Sequence, residues 1–173
     1  FHNAITLGVK PEEKKVVDDI FLLTMKPVLY VCNVDEKSAA TGNAYVDAVR
    51  AFLKGRGAEP LVIAGAVEAE IATLADEADR MEFLQASGLN EPGVNKLVRA
   101  AYEMLNLQTF FTVGPKEIKA WTITKGMTAP QAAGVIHSDL ERGFIKAEVM
   151  KYNDFIQLGS EHKCKEAGKF YIE

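Results

Sequence analysis

The stretch Lys26-Pro27-Val28-Leu29-Tyr30-Val31-Cys32-Asn33-Val34-Asp35-Glu36 constrains the fold more than any other part of the chain. Pro27 stops whatever helix precedes it. The apolar run Val28 to Cys32 is too short for a helix and reads as a buried strand. Thr41-Gly42-Asn43 then opens a helix with Val46, Val49 and Leu53 on one face, and Gly55 and Gly57 end it. Leu61 to Ala64 is a second short apolar run. Strand, helix and strand in this order predict a parallel pair joined by a right-handed crossover. Open sheets of this kind take ligands at the C-terminal ends of their strands. The first strand delivers Asn33, Asp35 and Glu36 there, and the second delivers Gly65 and Ala66.

Upstream, residues 11–24 place Val16, Val17, Ile20 and Leu23 at helical spacing, with Glu12 and Glu13 in the first turn. Downstream, residues 68–86 are predicted helical and Asn90-Glu91-Pro92-Gly93 is a break. Val94, Leu97, Val98, Ala101 and Leu105 then make the cleanest amphipathic helix, expected to pack on the sheet. After Leu107 the texture changes. Gln108 to Val113 and Ile118 to Ile123 flank the turn signal Gly114-Pro115 and predict a hairpin. Thr128-Ala129-Pro130-Gln131 resembles a capping box opening a short helix, and Phe144 to Met150 is a further expected strand. A domain boundary is therefore expected near Leu107.

Composition sets outer limits. The 173 residues are 48% apolar and 25% charged, ordinary for one or two globular domains. No apolar run approaches the ~20 residues that span a bilayer. Phe1-His2-Asn3-Ala4 has no basic region leading into an apolar core, so no signal peptide is expected, and a start at Phe1 fits an excised chain. Up to Leu107 there are 11 Lys/Arg against 16 Asp/Glu, and from Gln108 onward 9 against 8. The second half is the better candidate for an anionic partner, with modest affinity and shallow salt dependence. Cys32, in the apolar run, reads as a small buried hydrophobe. Cys164 lies between Lys163 and Lys165, which would favour its thiolate if it were exposed. Both are expected to be free thiols in a reducing cytosol.

The strand-end residues carry the candidate chemistry. In GTP-binding proteins an Asn-Lys-x-Asp loop reads the base, its Asp accepting two hydrogen bonds from guanine. Here the four positions are Asn33, Val34, Asp35 and Glu36. Val34 replaces the Lys, Glu36 is one methylene longer than the Asp, and Asp35 falls one position early, so its side chain is expected to point elsewhere. A displaced carboxylate weakens the guanine preference and admits adenine, whose amino group is a donor. The plainer alternative is an Asx-turn with two solvated acids. Gly65 and Ala66 either let backbone N–H groups approach the base or form a small-residue turn into a helix. No Gly-x-x-x-x-Gly-Lys-Ser/Thr occurs, so this chain lacks the phosphate cradle and the Mg2+ hydroxyl. His2, His137 and His162 have no partners at metal-ligand spacing, and no catalytic or metal residue is assigned. His137 reads as a helix-end histidine. Phe110, Phe111 and Trp121 read as core, with base stacking as the alternative.

Further stretches carry a family resemblance. They are residues 22–34, Glu68-Ala69-Glu70-Ile71, Phe110-Phe111-Thr112-Val113-Gly114, and above all Lys119-Ala120-Trp121-Thr122-Ile123 with Lys125-Gly126 and Ala129-Pro130-Gln131-Ala132-Ala133-Gly134-Val135-Ile136-His137. Gly143-Phe144-Ile145-Lys146-Ala147-Glu148-Val149 and Lys151-Tyr152 continue it. Over nearly its whole length the chain resembles the YchF/Obg-like ATPase family, translation-factor-related P-loop proteins. The resemblance implies an α/β chain: the C-terminal part of a P-loop G-domain, a parallel sheet with helices, followed by a β-grasp (TGS) domain. Residues 1–24 would end a helical insertion, residues 25–106 would be the G-domain part, and residues 107–173 a TGS domain incomplete at its C-terminus. The specificity motif would map onto Asn33, Val34 and Glu36, with Gly65 and Ala66 beside them. The phosphate-binding loop, the switch regions and the family's catalytic histidine are expected upstream.

The implied function is a cytoplasmic, ribosome-associated ATP hydrolase that prefers ATP to GTP, with ATP and Mg2+ bound by the intact protein and neither held tightly by this chain alone. The ribosome, as large subunit or 70S, is the expected partner, with RNA reached through the TGS domain, and neither DNA nor a membrane is expected. The alternative is a non-catalytic β-grasp module that binds RNA or ribosomal protein.

Overall fold

The computed structural model describes residues 4, 8–114 and 116–173. The start at Phe1, His2 and the Pro115 half of the hairpin turn lie outside the described residues. The chain divides into two compact units, Phe1–Leu105 and Asn106–Glu173. Both mix helices and strands, so the α/β class expected from the sequence holds.

In the first unit, helix α1 spans Pro11–Asp18 and stops well short of the expected Thr24. Phe21 adopts a left-handed φ of 54°, and a 3-10 turn at Leu23–Met25 leads into Pro27. Val16, Ile20 and Leu23 are exposed, so burial does not extend the helix where a short helix needs it. Strand β1, Val31–Asn33, is shorter than expected and pairs in parallel with β2, Leu61–Ile63, in the register Val31↔Leu61, Cys32↔Val62 and Asn33↔Ile63. Between them runs α2, Ala44–Leu53. Its cap is Asn43, whose Oδ1 accepts from the N–H groups of Tyr45 and Val46 at 3.0 and 3.2 Å. Val46 and Leu53 are buried.

The expected helix over residues 68–86 is two helices, α3 at Gly65–Thr73 and α4 at Glu77–Ala86. Asp76 Oδ1 accepts from Ala78 N–H at 2.8 Å and restarts the chain, while Arg80 donates to the Leu74 carbonyl at 2.7 Å. Side-chain caps of this strength compete with helix continuation. Ala39, Ala64, Val67, Ile71, Leu84 and Leu89 form the core here, with Val34 and Phe83 packed against them. Helix α5, Gly93–Met104, touches β2, but Val94 and Val98 on its apolar face are about half exposed.

The second unit opens with the antiparallel hairpin β3, Leu107–Val113, and β4, Ile118–Thr124. Phe110 stands opposite Trp121, whose indole N–H donates to Thr112 Oγ1 at 3.0 Å. The Lys119 ammonium lies 4.1 Å from the Trp121 ring centre. Helix α6, Ala129–Ile136, begins at Thr128, whose N–H donates to Gln131 Oε1 at 2.9 Å. His137 ends α6 and caps α7, Ser138–Arg142, its Nδ1 accepting from Asp139 N–H at 3.2 Å. The strand expected over residues 144–150 is confined to β5, Glu148–Met150. After α8, Tyr152–Leu158, and α9, Glu161–Glu166, the chain returns as β6, Phe170–Ile172, antiparallel to β5. The sequence pattern does not single out β6, because three residues are too few to show alternation. The cysteines also differ from expectation: Cys164 is fully buried and Cys32 only half-buried. The two lysines beside Cys164 therefore flank an enclosed thiol, not an exposed one.

Candidate functional site

Strands β1 and β2 end side by side. The last ladder bond, from Val34 N–H to the Ile63 carbonyl at 2.9 Å, brings the two following loops together. Helix α3 starts at once after β2, and its N-cap residue, Ala64, has no side chain that can accept a hydrogen bond. Asn33 supplies the missing acceptor from the neighbouring strand. Its Oδ1 accepts from Gly65 N–H at 2.9 Å. A Cβ at position 65 would stand 3.2 Å from that same oxygen, so glycine gives the amide the closest approach.

This bond fixes the Asn33 amide. The oxygen must face the Gly65 donor, so the Nδ2 donors point away from it. A purine offers N7 as an acceptor whether the base is adenine or guanine. Asn33 can therefore hold a purine without choosing between the two. Ala66 is exposed in the first turn of α3, where helix N–H groups lack intrahelical partners.

The other predicted residues lie on both sides of this point. Val34 is half-buried and packs inward on the core. Asp35 is a cap: its Oδ1 accepts from Ser38 N–H at 2.9 Å and starts the 3-10 turn Glu36–Ser38. That side-chain hydrogen bond holds the Asp35 carboxyl below the usual 3.8. Glu36 is exposed at the first position of the turn.

The sequence pattern does not mark Glu68 as a site residue. From the first turn of α3 its carboxylate accepts from the N–H groups of Gly93 and Val94, at 2.5 and 3.4 Å. These begin α5, whose N-cap residue, Pro92, has no side-chain acceptor. No local signal marks the pair, because the partners lie 25 residues apart. Beside it Arg99 hydrogen-bonds Glu91, which holds the Glu91 carboxyl below its usual range. Among the described residues no three His, Cys, Asp or Glu side chains gather to hold a metal ion.

Loops that meet at the C-terminal ends of parallel strands are where open α/β sheets bind ligands. The solved structure of the Schizosaccharomyces pombe YchF GTPase matches the fold with a TM-score of 0.84 at 30% identity, covering 99% of this chain and 46% of that one. The YchF-GTPase_C family, described as a protein of unknown function (DUF933), matches residues 107–173. Proteins named ribosome-binding ATPase YchF are similar over most of the chain. The one from Haemophilus influenzae is 48% identical over 97% of this chain and 46% of its own length. The Bacillus subtilis protein is 46% identical over 94% of this chain and 44% of its own length. The chain thus spans less than half the length of these relatives. Over nearly its whole length it is similar to members of the YchF family, and the match fits their C-terminal portion.

Proposed function

We propose that the β1–β2 strand end is the purine subsite of an ATP hydrolase whose phosphate-binding half lies elsewhere in the intact protein. The observation that carries this is the Asn33–Gly65 bond, which engages the Asn33 amide oxygen and leaves its Nδ2 donors turned from the Gly65 N–H. Asn33, Val34, Glu36, Gly65 and Ala66 make up the subsite. Asn33 and the first-turn backbone of α3 hold the base. Glu36 stands where a guanine-reading Asp would be, one methylene longer, and this supports a preference for ATP over GTP. Mg2+ and the phosphates belong to groups outside this chain.

In this reading residues 1–24 end a helical insertion, residues 25–106 are the G-domain part, and residues 107–173 are a TGS domain of β-grasp type. The antiparallel hairpin, the helices after it and the β5–β6 pair support the last assignment. The relatives' printed name, ribosome-binding ATPase, supports a ribosomal partner and hence a cytoplasmic site of action. RNA contact through the second unit is part of the same reading.

Calorimetry with this chain and with the intact protein tests the proposal. The intact protein is expected to bind ATP, and this chain to show no micromolar binding, because phosphate and Mg2+ contacts dominate affinity in P-loop proteins. Micromolar ATP binding by this chain alone overturns the division of labour.

A further inference from the structure

Two helices in the first unit begin at residues that cannot cap them, and each is capped by a side chain from another element. Asn33, at the end of β1, caps α3. Glu68, in the first turn of α3, caps α5 through Gly93 and Val94. The caps are linked in series, because the helix that receives one donates the next. Glu68 lies three positions after Gly65, within a single turn.

A carboxylate at a helix N-terminus makes charge-assisted hydrogen bonds and opposes the positive end of the helix dipole. The contact at Gly93 leaves no space to spare. A Cβ there would lie 2.8 Å from Glu68 Oε1 and 2.8 Å from Ile63 Cγ2. Ile63 is the last residue of β2 and the partner of Asn33 in the ladder. The start of α5 is therefore seated on both the strand and the helix that frame the purine subsite.

We infer that Glu68 is a positioning residue for that subsite: by tying the first turn of α3 to the N-terminus of α5, it sets where the Gly65 and Ala66 backbone stands relative to Asn33. This rests on the purine-subsite reading. It adds that the loop's geometry is held from behind by an acid that never meets the base.

The test has two arms. In this chain, amide hydrogen exchange is compared for E68A, E68Q and the unchanged protein. E68A is expected to speed exchange at Gly93 and, beyond it, at Gly65 by about tenfold, the loss of one charge-assisted bond. The α2 amides should keep their rates. E68Q retains an acceptor oxygen for Gly93 and should stay within about threefold of the unchanged protein. Faster exchange confined to Gly93 and Val94, or spread evenly through the unit, overturns the inference.

In the intact protein, ATP affinity is compared for N33A and E68A. Both are expected to weaken binding, E68A by about threefold to tenfold, with E68Q restoring it. Weakening by N33A without weakening by E68A sinks the positioning role and leaves the subsite standing. No change with N33A sinks the subsite itself, and the exchange arm still decides whether Glu68 holds the α3 turn.

Discussion

Asn33 and Gly65 lie 32 residues apart, yet the side chain of one caps the helix that begins at the other through a bond of 2.9 Å. A cap usually comes from the residue before the helix. Here that residue is Ala64, and the adjoining strand does its work.

Asn33→Ala should lower the stability of the chain by ~1 kcal/mol, the usual cost of losing an N-cap oxygen. Asn33→Asp keeps the oxygen and adds negative charge at a helix N-terminus, so stability should hold within ~0.5 kcal/mol. The Asp removes the Nδ2 donors, however, and the intact protein should then lose about tenfold in ATP affinity. Urea melts and nucleotide titrations separate the two effects. Equal ATP affinity in the stable Asp variant would mean that the base does not use the Asn33 amide.

Asp35 makes a pH-dependent cap. Its folded carboxyl titrates below the usual 3.8 because it accepts the Ser38 N–H. The group's contribution is thus fully present above the unfolded value of ~3.9 and is lost as pH falls through the lower folded value. A carboxyl-detected NMR titration should place the Asp35 midpoint under the ordinary value, with the Ser38 amide shift following the same curve. Asp35→Asn keeps an acceptor and should abolish the Ser38 titration. A Ser38 amide that still titrated in this variant would mean another group drives it.

Base choice is tested at Val34 and Glu36 together. Restoring both residues of the guanine-reading motif should shift the ATP-to-GTP affinity ratio of the intact protein toward GTP by about tenfold to a hundredfold, at ~1–3 kcal/mol for one bidentate contact. The two positions differ in tolerance. Glu36 is exposed, so Glu36→Asp should be nearly silent in stability. Val34 packs on the core, so Val34→Lys should cost about 1–2 kcal/mol. An unchanged ratio in the double variant would put base choice in the backbone around Val34 and Gly65.

The two thiols should react at different rates. Cys164 is fully buried and Cys32 half-buried. A thiol reagent should modify Cys32 first in the native chain and reach Cys164 only on unfolding. Cys164→Ser places a hydroxyl in an enclosed site and should destabilise the chain by ~1–3 kcal/mol. Rapid native labelling of Cys164 would contradict its burial.

The parts of the fold that were legible in advance share one property: their signals are local. A proline, an apolar run and an Asn cap mark β1 and α2 because each device acts within a few residues. The Gln131 side chain that turns back to Thr128 N–H is local in the same way. The hairpin of β3 and β4 follows from two β-branched and aromatic runs on either side of a glycine. Where helical spacing misleads, a lack of burial or a competing cap intervenes. The residues 11–24 pattern has helical spacing, but Val16, Ile20 and Leu23 stay exposed and the helix ends at Asp18. The 68–86 pattern is helical throughout, but Asp76 offers a cap and the chain takes it.

The site divides along the same line. The amino-acid sequence by itself determined which groups stand at the strand ends: an Asn, a Val in place of a Lys, an early Asp and a longer Glu, followed by Gly65 and Ala66. It also carried the resemblance that names the family. Only the tertiary structure decided what those groups do to one another. Asn33 reaches Gly65 because β1 and β2 pair in one register, and Glu68 reaches Gly93 because α5 packs against β2. Capping between elements needs an acceptor and a donor within about 3 Å. Over separations of 32 and 25 residues, that distance is set by strand pairing and core packing, which leave no periodic trace in the chain.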